Sequence, residues 1–592
     1  MKSFLLFLSF IIPISSLGID QPTNIKDLTS NIQKPNVILI MTDDQGYGDL
    51  SCHGNPHLET PNIDQFYNVS VRLTDFHVSP TCSPTRAALL TGRYSNRTGV
   101  WHTIMGRSLL REDETTIADI MVDNGYKTAM FGKWHLGDNY PFRPHDRGFQ
   151  ETLYHAGGGI GQGLDFFGND YFDDTYFRNG KPEKFDGYCT DIWFNEAINF
   201  IEKNKTDPFF CYIPTNTAHG PFFVSEKYSQ PFTDKGIQSP LAEFYGMIVN
   251  IDENFGKLYS KLSELNLIEN TILIFMTDNG GEMGYVKGKY NAGMRGFKGS
   301  PYDGGHRVPF FISWPKGTIG TGIDISMLTA HVDVLPTLID LCGLDYDKSI
   351  EFDGISLKSV LKGSKTTIYD RIIVTDSQRI DHPLKWRKSA TMKDKWRLLN
   401  GEELYNIESD PGQEQNVSEE HPQVVEELRD GYDKWWESVS KRFDEYCPII
   451  IGSDEQNPTC LMSHDIHGQV VWNHKQVTEA ERSDGFWAVK VEKDGLYEFS
   501  LRRWPREVKK PISDDVSIHK HEPDDDIFSV TIARLKISEF DESKPIKPNI
   551  EEVKFRVNLK KGETRAQAWF INDMGDGQTH GAYYVYVERI DM

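Results

Sequence analysis

The chain has 592 residues, several times the ~150 of a typical domain, and its 34 Phe, 25 Tyr and 12 Trp can fill large cores, which excludes a protein disordered over long stretches. Its formal charge of −23 argues against a nucleic-acid binder and against binding to an anionic membrane surface. A polyanionic ligand would need a local basic pocket inside an acidic protein, so the positions of Lys, Arg and His carry information.

At the N-terminus, Lys2, the apolar run Phe4 to Ile12 and Ser16-Leu17-Gly18 have the layout of a secretory signal peptide, residues 1–18. Pro13, Ser15 and Ser16 cut that run short of the ~20 residues a membrane span needs, and no cysteine follows to carry a lipid. No later segment is long and apolar enough to serve as a membrane anchor. An exported protein, periplasmic or secreted, is expected. Export permits disulfides among the seven cysteines. Cys447 and Cys460 are close enough in sequence to bridge a loop, and spacing leaves the pairing of the others open. Asn68, Asn96, Asn204 and Asn416 sit in Asn-x-Ser/Thr sequons, which matter only in a eukaryotic secretory route.

After a polar leader, Asn36 to Met41 is a continuous apolar run, predicting a strand buried on both faces. It ends in Thr42-Asp43-Asp44-Gln45-Gly46, and acidic residues at the carboxyl end of a buried strand fall where α/β sheets place their sites. Adjacent carboxylates both stay ionised if a cation lies between them. A β-like run from Val71 to Val78 leads to Cys82-Ser83-Pro84-Thr85-Arg86-Ala87-Ala88-Leu89-Leu90-Thr91-Gly92-Arg93. Pro84 suits the first turn of a helix, whose backbone N–H groups would face whatever binds beside Cys82, an arrangement suited to an anion. Ile117 to Asn124 reads as a helix, and Lys127 to Phe131 as a strand entering Gly132-Lys133-Trp134-His135-Leu136-Gly137. On an extended backbone Lys133 and His135 would point to one side.

Residues 138–190, with Gly157-Gly158-Gly159 and many aromatics, read as long loops on the functional face, where aromatic rings could stack on sugars. Thr190 to Asn204 is an amphipathic helix, Pro208 to Ile213 a strand ending near His219, and Leu241 to Leu265 a helix. Thr271 to Met276 is another buried strand, ending in Thr277-Asp278-Asn279-Gly280-Gly281. Asp43, Asp44, Asp278 and Asn279 make an all-oxygen set, which favours Ca²⁺ or Mg²⁺ over zinc. A glycine-rich loop then carries Lys298 before the chain returns to strand at Phe310 to Trp314.

The Cys82 string resembles the sulfatase signature Cys-x-Pro-x-Arg followed by Leu-Thr-Gly, and Gly132 to Gly137 resembles the second signature of the formylglycine-dependent sulfatases. The resemblance runs from about Asn36 to about Glu420. It implies an α/β fold of the alkaline-phosphatase type, a large mixed sheet between helices. It also implies that a maturation enzyme converts Cys82 to formylglycine, whose hydrate is the nucleophile. Asp43, Asp44, Asp278 and Asn279, with the modified Cys82, would ligate one calcium ion. Arg86 and Lys133 would hold and polarise the hydrate, and His135 would be the base that releases sulfate. His219 and Lys298 would bind the sulfate, one of them protonating the leaving alcohol. A serine could perform the first displacement but would be left as a stable sulfate ester.

The same resemblance places the catalytic domain at 35–365 and a small sheet-plus-helix subdomain at 366–447, with a hairpin near Trp396 to Ile407 and a helix from Val424 to Val439. From 448 to 592, strand-like segments at Gly485–Val491, Gly495–Leu501, Phe528–Ile537, Val553–Leu559 and Ala582–Val587 predict a β-sandwich-like accessory domain. It looks like the appendage of some marine bacterial polysaccharide sulfatases. His464, His467, Trp472 and His474 are candidates to reach the pocket from it, and Asp524-Asp525-Asp526 reads as a solvated loop. The expected activity is sulfate-ester hydrolysis on a carbohydrate, with ulvan as the specific polymer that the resemblance favours. A phosphoesterase or phosphonate hydrolase on the same fold, and a non-enzymatic sulfated-glycan binder with unmodified Cys82, are the alternatives.

Overall fold

Every residue of Asn36–Thr42 is buried, and the strand it forms is the centre of the molecule. The computed structural model describes residues 34–282, 286, 289–364, 370–516, 528–572 and 579–590. Residues 1–18 and Asp524-Asp525-Asp526 lie outside the described residues. Up to Ala330 the strands are β1 (Asn36–Thr42), β2 (Val71–Leu73), β3 (Phe76–His77), β4 (Lys127–Lys133), β5 (Glu151–His155), β6 (Thr175–Arg178), β7 (Lys181–Lys184), β8 (Phe209–Pro214), β9 (Thr271–Thr277), β10 (Phe310–Ser313), β11 (Ile323–Ile325) and β12 (Thr329–Ala330). Ten of them form one mixed sheet in the order β11-β2-β10-β9-β1-β8-β4-β5-β6-β7, and β3 pairs with β12.

The middle of that sheet is parallel: β9, β1, β8, β4 and β5 all run the same way, in register Val37 with Phe210 and Ile272. Their carboxyl ends therefore open on one edge, where a crevice forms. Side chains alternate across β1. Val37, Leu39 and Met41 join a core with helices Cys82–Thr91, Ile117–Asp123 and Val334–Cys342, while Ile38 and Ile40 join one with Pro61–Val69, Cys189–Lys203 and Leu241–Glu264. Helices on both faces explain why the central strands are apolar without alternation, and this is the alkaline-phosphatase-like architecture expected.

Beyond the large sheet, a four-stranded antiparallel sheet spans Ile373–Asp376, Ser389–Lys393, Trp396–Leu399 and Glu403–Asn406, with Leu398 and Leu404 packed on Val425 and Leu428 of helix Pro422–Val439. Between Ile449 and Arg589 a seven-stranded and a four-stranded sheet share one core, Trp487, Leu535 and Phe570 of the first meeting Phe499, Phe555 and Val587 of the second. That core is continuous with Trp134, Leu136 and Phe142 of the first half. No helix among the described residues is long and apolar enough to cross a membrane.

Four expectations change. The Val71-to-Val78 run is two short strands. Residues 138–190 contain β5, β6 and β7 as well as loops. The strand from Lys127 extends to Lys133. Cys447 and Cys460 are both free thiols. Cys460 stands opposite Tyr586 in a sheet, and Cys447 lies on Gly99 beside Arg111, so the register sends the two apart.

Candidate active site

The parallel strands deliver three carboxylates to one point. Asp43 and Asp44 follow β1, Asp278 and Asn279 follow β9, and all four are fully buried. The backbone N–H of Asp44 donates to Asp278 Oδ1 at 3.1 Å, and Asn279 Nδ2 donates to Asp44 Oδ1 at 2.7 Å. Asp43 Oδ1 and Asn279 Oδ1 have no hydrogen-bond partner among the described residues although both are buried. Orphaned acceptor oxygens in a set of hard oxygen donors fit a hard cation. Donor atoms of Asp43, Cys82 and Asp278 lie within 4.8 Å of one another. Burial and the Asp43 carboxylate push Asp278 up to about 7, only partly opposed by Arg86 and Lys133. A bound cation would relieve that conflict.

Three cations face the three carboxylates. Arg86 Nη2 donates to Asp278 Oδ2 at 2.9 Å and Nη1 to the Lys133 carbonyl at 2.9 Å. Lys133 Nζ donates to Asp43 Oδ2 at 2.5 Å, and Lys298 Nζ to Asp44 Oδ2 at 2.5 Å. Burial opposes ionisation of Asp44, but Lys298 and then His219 hold it far below the usual carboxylate range. This is the local basic cluster that the acidic composition calls for.

Cys82 opens helix Cys82–Thr91, whose ten residues are all buried. The helix ends where Gly92 adopts φ 66° and its N–H returns to the Ala88 carbonyl at 2.9 Å, a left-handed stop that glycine makes without strain. Cys82 Sγ lies 4.0 Å from Asp44 Oδ1. Burial pushes its thiol up to about 12 against the pull of Lys133 and Lys298, so an unmodified thiol here is protonated at neutral pH and a poor nucleophile. The Lys298 loop is tied to this turn by Gly299 N–H on the Pro80 carbonyl at 2.8 Å.

His135 does not continue the strand that ends at Lys133. It has φ 61°, and its Nε2 bonds the Thr103 carbonyl at 2.9 Å. A carbonyl accepts only, so Nε2 carries the proton and the buried, unpartnered Nδ1 is left as a bare base. Burial, then Lys133, keep this histidine well below its usual 6.5. A Cβ on Gly158 would meet His135 Cε1 at 2.4 Å, and one on Gly159 would meet His219 at 3.1 Å, so the glycine run is the floor on which both rings rest. His219 bonds the Gly220 carbonyl through Nδ1 at 2.5 Å and turns Nε2 towards Asp44 Oδ2 at 3.7 Å.

A model of the sulfatase family matches residues 35–344. The chain belongs to the sulfatase family. It is 32% identical to the arylsulfatase of Hemicentrotus pulcherrimus over 351 residues, 55% of this chain and 62% of that protein. It is also 32% identical to human arylsulfatase A over 367 residues, 56% of this chain and 68% of that protein. The crystal structure of Ps i-CgsB in complex with k-i-k-neocarrahexaose superposes with a TM-score of 0.63 at 29% identity, covering 70% of this sulfatase and 95% of that chain. The phosphonate monoester hydrolase of Agrobacterium radiobacter, at 22% identity and a TM-score of 0.51, shares the fold.

The ten residues that the resemblance assigns to the site of this sulfatase converge, and Glu282 and His155 join them. Glu282 accepts from the Gly220 N–H at 3.1 Å and groups with Asp44 and His219, but no motif marks it. His155, wholly buried with neither ring nitrogen bonded, ends β5 opposite Lys133. The C-terminal sheets reach the site as well. The His464 ring lies 6.5 Å from that of His135, and Trp472 and His474 line the adjoining cavity with His219. His467 turns away to bond Asp381 at 2.9 Å.

Proposed function

We propose that this sulfatase hydrolyses sulfate esters on a carbohydrate, with Cys82 converted to formylglycine by a maturation enzyme and one Ca²⁺ held by Asp43, Asp44, Asp278, Asn279 and residue 82. The observation that carries the reading is the position of Cys82: first residue of a buried helix, against the carboxylate cluster and between Lys133 and Lys298. Formylglycine supplies a hydrated aldehyde, one hydroxyl of which is a nucleophile for sulfur. Calcium supplies fixed positive charge beside the sulfate oxygens.

The chain's own residues do the rest. Arg86 holds Asp278 and the Lys133 carbonyl, fixing the end of β4 against the end of β9. With a cation on Asp43 and Asp44, the charges of Lys133 and Lys298 are released from those carboxylates for the equatorial sulfate oxygens. His135, bare at Nδ1, takes the proton in the step that frees sulfate. His219 and Lys298, both on Asp44 Oδ2, bind the sulfate, and one of them gives the leaving alcohol its proton.

Ulvan is the polymer that the sequence resemblance favours, and an exported, periplasmic or secreted location fits a polysaccharide substrate. The test is ion chromatography of sulfate and phosphate released by the matured enzyme from ulvan, carrageenan, chondroitin sulfate and a phosphate monoester. Sulfate from at least one glycan and no phosphate supports the reading. Phosphate as the main product would make this chain a phosphoesterase, and no release from any, with Cys82 converted, would exclude all four as substrates.

A further inference from the structure

Beside His219 the catalytic crevice widens into a cavity of about 1,200 Å³, larger than the ~300–1,000 Å³ of most small-molecule sites, so it has room for more than one sugar. Its lining is mostly apolar. Ile160, Phe172, Pro221, Phe222 and Phe223 come from the loops around the large sheet, and Trp472 comes from the C-terminal sheets. Trp472 is only half-buried, and its backbone carbonyl accepts from the Gly163 N–H at 2.9 Å, which fixes that segment to the loop after the glycine run. A partly exposed indole held in a crevice wall presents an apolar face to whatever enters.

The charges in this cavity are the reverse of those at Cys82. Asp170, Glu226, Glu243 and Glu282 line it, and Lys475 is the one Lys or Arg among its described lining residues. Lys475 is exposed and is itself paired with Glu479 at 3.5 Å. Glu243 has a buried oxygen with no hydrogen-bond partner among the described residues. A carboxylate in the wall of a sugar-sized cavity is an acceptor for a hydroxyl, and a second anion placed there would meet like charge.

We infer that this cavity is a subsite for an uncharged pyranose joined to the sulfated sugar, with Trp472 under its C–H face and Glu243 accepting from its hydroxyls, and that the acidic lining rejects a uronate or a second sulfate there. This rests on the proposed reaction at residue 82 and goes beyond it by naming the neighbour. Polymers that alternate sulfated sugars with uronates, ulvan among them, are then poor substrates, which weighs against the ulvan reading.

The test uses two sulfated disaccharides that differ only in the neighbour, hexose or hexuronate, with p-nitrophenyl sulfate as a substrate too small to fill the cavity. With the full matured chain, kcat/KM for the hexose compound is expected to exceed that for the hexuronate at least tenfold, and Glu243→Gln to narrow the ratio. Trp472→Ala is expected to lower kcat/KM for the hexose compound at least tenfold more than for p-nitrophenyl sulfate. Binding of both disaccharides to the Cys82→Ala protein, by calorimetry, reads the subsite without turnover. Absence of turnover on all three substrates would sink the reaction, whereas equal binding of hexose and hexuronate would sink the subsite. Equal kcat/KM for the two disaccharides, or losses in Trp472→Ala that fall evenly on both substrate sizes, would overturn it as well.

Discussion

Arg86 holds the site together at the scale of single side chains. It is buried and joins the carboxyl ends of two strands, so its removal takes from Asp278 the cation hydrogen-bonded to it. Breaking a buried pair from one side costs about 3–5 kcal/mol. Arg86→Ala should therefore lose about that much unfolding free energy in urea, and a loss below about 1 kcal/mol would show that Asp278 is carried by other groups. As the proposed base, His135 would set the pH behaviour. A base works while unprotonated, and burial with Lys133 nearby holds this ring well below 6.5. As pH falls through 6.5, kcat/KM should persist and decline only well below it, with His135→Ala flattening that limb. An acidic limb at or above 6.5 would mean that another group supplies it.

At the scale of elements, geometry comes from close approaches that spacing does not reveal. The strands β1 and β9 were legible because a continuous apolar run needs both faces covered, and each ends in acidic or amide side chains. The start of the helix after Cys82 is legible from Pro84, which suits a first turn. The orientation of His135 was not, because alternation predicts a partner for Lys133 on one side of a strand, whereas the chain leaves the strand through a left-handed residue. Glu282 and His155 are hidden for a different reason: each reaches the site through packing between segments distant in sequence. The glycine floor is the element to disturb. A Cβ on Gly158 would stand 2.4 Å from His135, and displacing a catalytic group by about 1 Å can cost 10²-fold. Gly158→Ala should keep the native circular dichroism and lose at least about tenfold in kcat. Unchanged kcat would show that the ring has room to move.

For the whole molecule, the question is whether the C-terminal sheets form an appendage. Composition and turn spacing foretold a sandwich there but not its attachment, since a shared core leaves no mark in either segment alone. Strand Gly562–Ile571, whose inner residues Ala566, Ala568 and Phe570 are buried, escapes the sequence reading because Glu563, Thr564, Arg565 and Gln567 interrupt its apolar positions. The core runs from Trp134 and Phe142 into Leu461, Met462 and Trp487. Asn139 Nδ2 also donates to the Cys460 carbonyl at 2.9 Å, and the Met105 N–H to the His464 carbonyl at 2.9 Å. A chain ended at residue 447 would expose that apolar face and should aggregate or melt without cooperativity. A soluble fragment with the melting profile of the full chain would make the sheets a separable domain.

The central claim is that chemistry starts at a converted residue 82. The measurement that tests it most directly is the rate of sulfate release against the fraction of Cys82 converted to formylglycine, set by graded co-expression of the maturation enzyme and read by peptide mass. The account predicts a straight line through the origin. Turnover that persists undiminished in fully unconverted protein would contradict it.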